Sequence, residues 1–184
     1  GEGGTGKRWN AEDGSPQGVF SLPAWYPHPE VFSPDGKRCV QGDGKGGMII
    51  CDLAAGATVG RLPTVDCQEA ACSPDGEALA AWSWNGGPIH LWDLNTRAER
   101  IASDKKYQTE AAVFSPDGSR LIIVEPEAAA CLDTTTGKEV WRIEGLMGET
   151  AFSPDGKTLA VQTCVKNEDK HQKPAEESCE VRFL

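Results

Sequence analysis

The chain has 184 residues, with 18 Lys+Arg against 28 Asp+Glu and a formal charge of −10. That acidity argues against a nucleic-acid or anionic-membrane partner, since both need clustered basic charge. There is no apolar run of the roughly 18 residues that a membrane helix needs. The 21 Gly and 12 Pro disfavour a helix bundle and point to short elements joined by tight turns. With 39% hydrophobic and 25% charged residues, the composition is not that of a disordered chain.

The tetrapeptide Ser-Pro-Asp-Gly occurs at Ser33–Gly36, Ser73–Gly76, Ser115–Gly118 and Ser153–Gly156, spaced 40, 42 and 38 residues apart. Pro presets φ for a type I turn. Ser and Asp bond back to the turn's own backbone, and Gly takes the left-handed position that closes a hairpin with a bulge. Each copy therefore predicts a β-hairpin. Phe32, Cys72, Phe114 and Phe152 end the incoming strand. Apolar runs such as Leu79-Ala80-Ala81 and Leu121-Ile122-Ile123 form the outgoing one. A strand apolar on both faces is covered on both sides. A third strand ends in Asp52, Asp93 or Asp133, and Gly56, Arg97 and Gly137 close a second hairpin into a fourth strand. Four short antiparallel strands per unit of about 40 residues is the pattern of a propeller blade.

In chain order, residues 1–30 read as a partial blade, its third and fourth strands followed by a connection. The opening Gly1-Glu2-Gly3-Gly4-Thr5-Gly6-Lys7 imitates a phosphate-binding loop. However, Arg8 stands where a Mg²⁺-binding Ser or Thr belongs, and no strand–helix context surrounds it. It reads instead as a Gly-rich hairpin tip. Trp9-Asn10 then takes the third-strand position, with Gly14 four residues on. Residues 31–68, 69–109 and 110–149 read as whole blades, and 150–184 as a second partial one. That last unit carries a charged hairpin insertion at 165–179, which reads as a solvated loop.

Phe-Ser-Pro-Asp-Gly, an apolar strand, Ile89-His90-Leu91-Trp92-Asp93-Leu94 and Thr136-Gly137-Lys138-Glu139 together resemble the WD-repeat β-propeller family. The resemblance covers nearly the whole chain and implies an all-β propeller of four-stranded antiparallel blades. Members close with about seven blades, so it further implies that three whole and two partial blades belong to a larger ring. A small closed ring is the other possibility. Trp9, Trp92, Asp52, Asp93 and Asp133 fall at the Trp-Asp positions. The Gly-His pair of the family is missing, so its buried His–Ser/Thr–Trp–Asp network is not expected. Ser-Pro-Asp-Gly turns also occur in other propellers, the TolB-like kind among them.

No catalytic constellation stands out, and the expected function is non-enzymatic. A scaffold or adaptor of this kind binds a protein or peptide through its loop rim, with no cofactor, metal, nucleic acid or membrane. The rim comprises 22–30, 63–70, 103–110 and 144–149 together with the tips 42–47, 83–88, 125–128 and 165–179. Its large apolar side chains are Trp25, Tyr26, Trp84, Tyr107 and Met147, the residue types of binding hot spots. Packing into the core is their other possible role. Trp82 and Trp84, two apart on a second strand, would share a face. Glu30, Glu69, Glu110 and Glu149 precede the four first strands and could ring a channel mouth for a cation or basic peptide. Asp35, Asp75, Asp117 and Asp155 are explained as turn caps. A propeller region of a larger signalling enzyme and a ligand-binding or TolB-like propeller are the alternatives. The cysteines (39, 51, 67, 72, 131, 164 and 179) mostly sit in apolar runs, form no CxxC pair, and read as small buried hydrophobes of a reducing, cytoplasmic compartment.

Overall fold

A computed structural model describes residues 4–22, 30–43, 45, 47–63, 67–103, 105–145, 150–164 and 179–183. The described residues are all-β, and every pairing is antiparallel between neighbours in sequence. β1 (Gly4–Trp9) pairs with β2 (Pro16–Leu22). β3 (Glu30–Phe32), β4 (Arg38–Gly42), β5 (Met48–Asp52) and β6 (Ala57–Leu62) form a four-stranded sheet. So do β7 (Glu69–Cys72), β8 (Ala78–Trp82), β9 (His90–Asp93) and β10 (Glu99–Ala102). A third set is β11 (Ala111–Phe114), β12 (Arg120–Glu125), β13 (Ala128–Asp133) and β14 (Glu139–Glu144). β15 (Thr150–Phe152), β16 (Leu159–Cys164) and β17 (Cys179–Phe183) make a three-stranded sheet. The chain is a β-propeller of four-stranded antiparallel blades.

The Ser-Pro-Asp-Gly turns repeat bond for bond. Each Ser Oγ donates to the Asp Oδ1 two residues on, at 2.5–2.6 Å. Each also accepts the amide of the first residue of the returning strand or of the one just before it, at 2.8–3.0 Å. The turn glycines have φ of +65°, +75°, +72° and +70°, where a Cβ is strained. The turns also stack. A Cβ at Gly76 would meet Ser33, one at Gly118 would meet Pro74, and one at Gly156 would lie 3.3 Å from Pro116 Cδ. A second tie joins the two turns of each whole sheet. Leu53, Leu94 and Thr134 donate their amides to the carbonyls of Lys37, Glu77 and Ser119 at 2.8–3.1 Å.

Apolar residues on both faces of the second strands are used by both neighbours. Leu79 and Ala81 pack with Val40, Met48 and Ile50 of the preceding sheet. Ala80 and Trp82 pack with Leu121, Ile123 and Ala130 of the following one. Ile122 and Cys131 face Leu159 and Val161, while Cys39 and Cys51 face Phe20. The core is therefore a series of layers between successive sheets. Among the first strands, β7 touches both β3 and β11, so these strands line one edge.

Trp9 and Trp92 occupy the same motif position with opposite outcomes. Trp92 is 1% exposed, in the layer between the β3–β6 and β7–β10 sheets. Trp9, at the same Trp-Asp position, is 58% exposed. This motif position faces the preceding sheet, and no described sheet precedes β1. The described part of the phosphate-loop imitation is strand and not the expected hairpin tip: Gly6 lies in β1, where a Cβ would sit 2.0 Å from Phe20 Cζ. Its glycine makes room for a ring that meets Phe32 edge-on at 6.1 Å.

Candidate functional site

The sheet end opposite the Ser-Pro-Asp-Gly turns carries the expected rim. Its hairpins differ from one another. Between Gly42 and Met48, the Asp43 carboxylate accepts the amides of Lys45 (2.8 Å) and Gly47 (2.9 Å) and pairs with Arg61 at 2.6 Å. Between Glu125 and Ala128 the turn is two residues long. Between β8 and β9 the loop is longer and carries Trp84.

Trp84 is 54% exposed, whereas Trp82, two residues earlier, is buried. The two do not share a face, because β8 ends at Trp82 and Trp84 belongs to the turn. The turn is ordered by its own bonds. Gly86 donates to the Ser83 carbonyl (3.2 Å), and the Trp84 amide donates to Gln68 Oε1 (3.2 Å). Gly87 pairs both ways with Tyr107 of the next connection, at 2.8 and 3.1 Å. An exposed indole thus sits on a hairpin held at both flanks.

Tyr107 itself is a correction. It is 2% exposed and packs between the β7–β10 and β11–β14 sheets, so it offers no surface to a partner. The bridge to Gly87 draws the connection onto the sheets, and the phenol donates to Glu139 Oε2 (3.2 Å). Burial, then the Glu139 charge, raises its pKa above the usual phenol range. Glu139 also takes Lys105 Nζ at 2.8 Å. Nearby, buried Glu125 pairs with Arg142 and accepts the Gln108 amide (3.0 Å). Glu125 falls in the expected tip 125–128, but its bonds to Gln108 and Arg142 were not legible, and Glu139 lies outside the expected rim; both are recruited by residues distant in sequence. Trp25, Tyr26 and Met147 lie outside the described residues.

Glu30 and Glu69 are the first residues of β3 and β7, and the Glu110 amide donates to Val124 just before β11 (2.8 Å). The three thus stand at one end of neighbouring first strands; Glu149 lies outside the described residues. Among the described residues no three His, Cys, Asp or Glu converge as metal ligands.

The expected structural residues hold the opposite end. Ser Oγ bonds, then backbone amides, lower the carboxyls of Asp35 and Asp117 to about 2, and those of Asp75 and Asp155 shift the same way. Asp52, Asp93 and Asp133 each accept two amides of the following turn. Trp92 Nε1 is buried without a hydrogen-bond partner among the described residues. The His–Ser/Thr–Trp–Asp network is therefore absent around Trp92, and His90 bonds Glu99 at 2.5 Å instead. Cys39, Cys51 and Cys131 are buried free thiols, and burial pushes Cys39 up to about 12.

A cavity of about 440 Å³ opens between the β11–β14 and β15–β17 sheets, against Trp141, Ile143, Phe152 and Leu159. It lies between blades, away from the rim. There the described part of the last sheet stops at three strands.

No protein-family model and no curated protein matches the chain. Solved structures do. Kuenenia stuttgartiensis hydrazine synthase matches with a TM-score of 0.69 and 16% identity, over 97% of this chain and 56% of that one. A eukaryotic initiation factor matches with a TM-score of 0.63 and 17% identity, over 100% of this chain and 49% of that one. The chain thus spans about half the length of either structure. At such identities the likeness shows the fold, an all-β propeller.

Proposed function

We propose that this WD-repeat-like propeller is a non-enzymatic interaction module that binds a protein or peptide through the loop rim, with Trp84 as its principal anchor. One observation carries the reading: the indole is 54% exposed on a hairpin whose backbone is fixed by Gln68 and by the Gly87–Tyr107 bridge. A hairpin backbone already fixed in the free protein loses little entropy on binding. The described carboxylates with shifted pKa values support a structural assignment, because all are bound within turns or ion pairs. The acidic first-strand starts Glu30, Glu69 and Glu110 favour a partner with some basic character.

The test is to select peptides from a random display library on the purified chain and measure their affinity by calorimetry. Trp84→Ala should weaken the selected peptides about 30-fold, the effect of losing a 2 kcal/mol hot spot. Val140→Ala, also exposed but on β14, should leave them unchanged. Equal affinity for wild type and Trp84→Ala would remove the anchor.

A further inference from the structure

We propose that Cys164 and Cys179 form a disulfide that closes the base of the charged loop in the last sheet. The two cysteines are register partners, the last residue of β16 and the first of β17. Residues directly opposite on antiparallel strands have Cα atoms about 4.5–5.5 Å apart, and their Cβ atoms lie on one face. Disulfides span Cα separations of roughly 4.4–6.8 Å, a range that includes the separation of such register partners.

The other hairpins show why this position is singled out. At the corresponding register, Gly42 faces Met48, Ala81 faces His90 and Glu125 faces Ala128. Those loops are short and close on themselves: Asp43 gathers two amides, Ser83 takes the Gly86 amide, and two residues suffice after Glu125. In the last sheet fourteen residues, 165–178, separate the partners, and eight of them are Lys, Asp, Glu or His. The cost of closing a loop rises with its length. A covalent cross-link lowers that cost by restricting the unfolded chain. The longest of these loops is the one flanked by a cysteine pair.

Cys39 and Cys51 provide an internal contrast. They too are register partners, but both are fully buried under the β1–β2 sheet. Attack on a disulfide requires a thiolate with access to its target, so this buried pair stays reduced. The oxidant class is a small-molecule disulfide such as oxidised glutathione. The thiolate of Cys164 or Cys179 attacks it, forming a mixed disulfide and releasing one glutathione thiolate. The second cysteine thiolate attacks the mixed disulfide, forming the protein S–S bond and releasing the second. Two protein thiols are oxidised, one glutathione disulfide is reduced to two thiols, and the two protons pass to the leaving thiolates.

The experiment equilibrates the chain with oxidised glutathione, alkylates it in denaturant without reductant, and maps tryptic peptides. The expected product is Thr158–Lys166 joined to His171–Arg182, with the other five cysteines alkylated. The intact chain should be lighter by two hydrogen atoms and carry no glutathione. Brief trypsin treatment of the native protein should cut at Lys166 or Lys170. The two fragments should stay together on a non-reducing gel and separate on reduction. Cys164→Ser and Cys179→Ser should each abolish the link while keeping the wild-type far-ultraviolet spectrum. Seven alkylated cysteines, a glutathione adduct on both Cys164 and Cys179, or a link through Cys39, Cys51, Cys67 or Cys72 would each overturn the proposal.

Discussion

The two ends of the sheets are built on opposite plans. At the Ser-Pro-Asp-Gly end each repeat uses the same bonds: Ser to Asp, strand amide to Ser, and left-handed Gly. In the whole sheets an amide also ties the second turn to the first. At the other end no two hairpins match, and the intervening loops run from two residues after Glu125 to fourteen after Cys164. The difference has a physical origin. Successive turns of the uniform end touch one another, as Gly156 touches Pro116, so a change in one is felt by the next. The described hairpin tips of the other end are held largely by local bonds and by the adjoining connection. They are free to diverge, and that freedom is what a binding surface requires.

The sharpest way to break this comparison uses the same residue type at both ends. Trp92→Ala should cost about 3–5 kcal/mol, since it empties a fully buried site between two sheets. Trp92→Phe should cost far less, because the N–H it removes has no partner. Trp84→Ala should stay within about 0.5 kcal/mol of wild type. Urea unfolding followed by circular dichroism measures all three. A loss for Trp84→Ala comparable to that for Trp92→Ala would mean that the variable end is as structural as the uniform one.

A smaller effect sharpens the comparison within one turn. Ser115→Ala should cost about 1–3 kcal/mol, leaving the Arg120 amide without its acceptor and Asp117 without its main donor. Acid reports on the same bond. The carboxyl of Asp117 is held at about 2 against an ordinary 3.8, first by Ser115 and then by Ser119. A carboxyl lowered on folding contributes stability above its unfolded value and loses it as pH falls through its folded value. Wild-type stability should therefore fall between about pH 4 and pH 2. Ser115→Ala should show a shallower fall in that window. An unchanged slope would mean that the Ser–Asp bond does not couple protonation to folding.

Much of this architecture is legible in sequence because a turn is a local object. Ser, Pro, Asp and Gly each have a conformational reason to stand where they do, and the φ values and bonds follow. What failed to show were outcomes decided by distant neighbours. Trp9 and Trp92 read alike, yet among the described residues only Trp92 lies in a layer between two sheets. Trp84 and Tyr107 read alike as rim aromatics, but the Gly87 bridge and Glu139 bury Tyr107, and Trp84, beyond the end of β8, is exposed. The cysteines looked like one population of small hydrophobes. Register distinguishes a pair sealed under β2 from a pair at the foot of a long loop. Composition and spacing carry no information on which strand a residue faces.

The smallest effect concerns the one place where the uniform end departs from its own rule. The turn after the third strand puts Gly56 and Gly137 at φ +61° and +69°, but the same position after Asp93 holds Arg97 at +62°. A left-handed residue with a Cβ costs about 1–2 kcal/mol. Placing Gly there costs roughly 0.5–1 kcal/mol in lost chain freedom. Arg97→Gly should therefore stabilise the chain by no more than about 1 kcal/mol, read as a raised urea midpoint. The side chain supplies the opposing contribution, because Arg97 lies over Gly60 of β6, where a Cβ would come within 2.6 Å of Nε. The two contributions separate in a double-mutant cycle. Gly60→Ala should destabilise the wild type through this clash and be nearly neutral in the Arg97→Gly background. If Arg97→Gly lowers the midpoint instead, the cover that Arg97 gives to Gly60 outweighs its backbone strain, and the exception in the repeat is maintained by contact between neighbouring sheets.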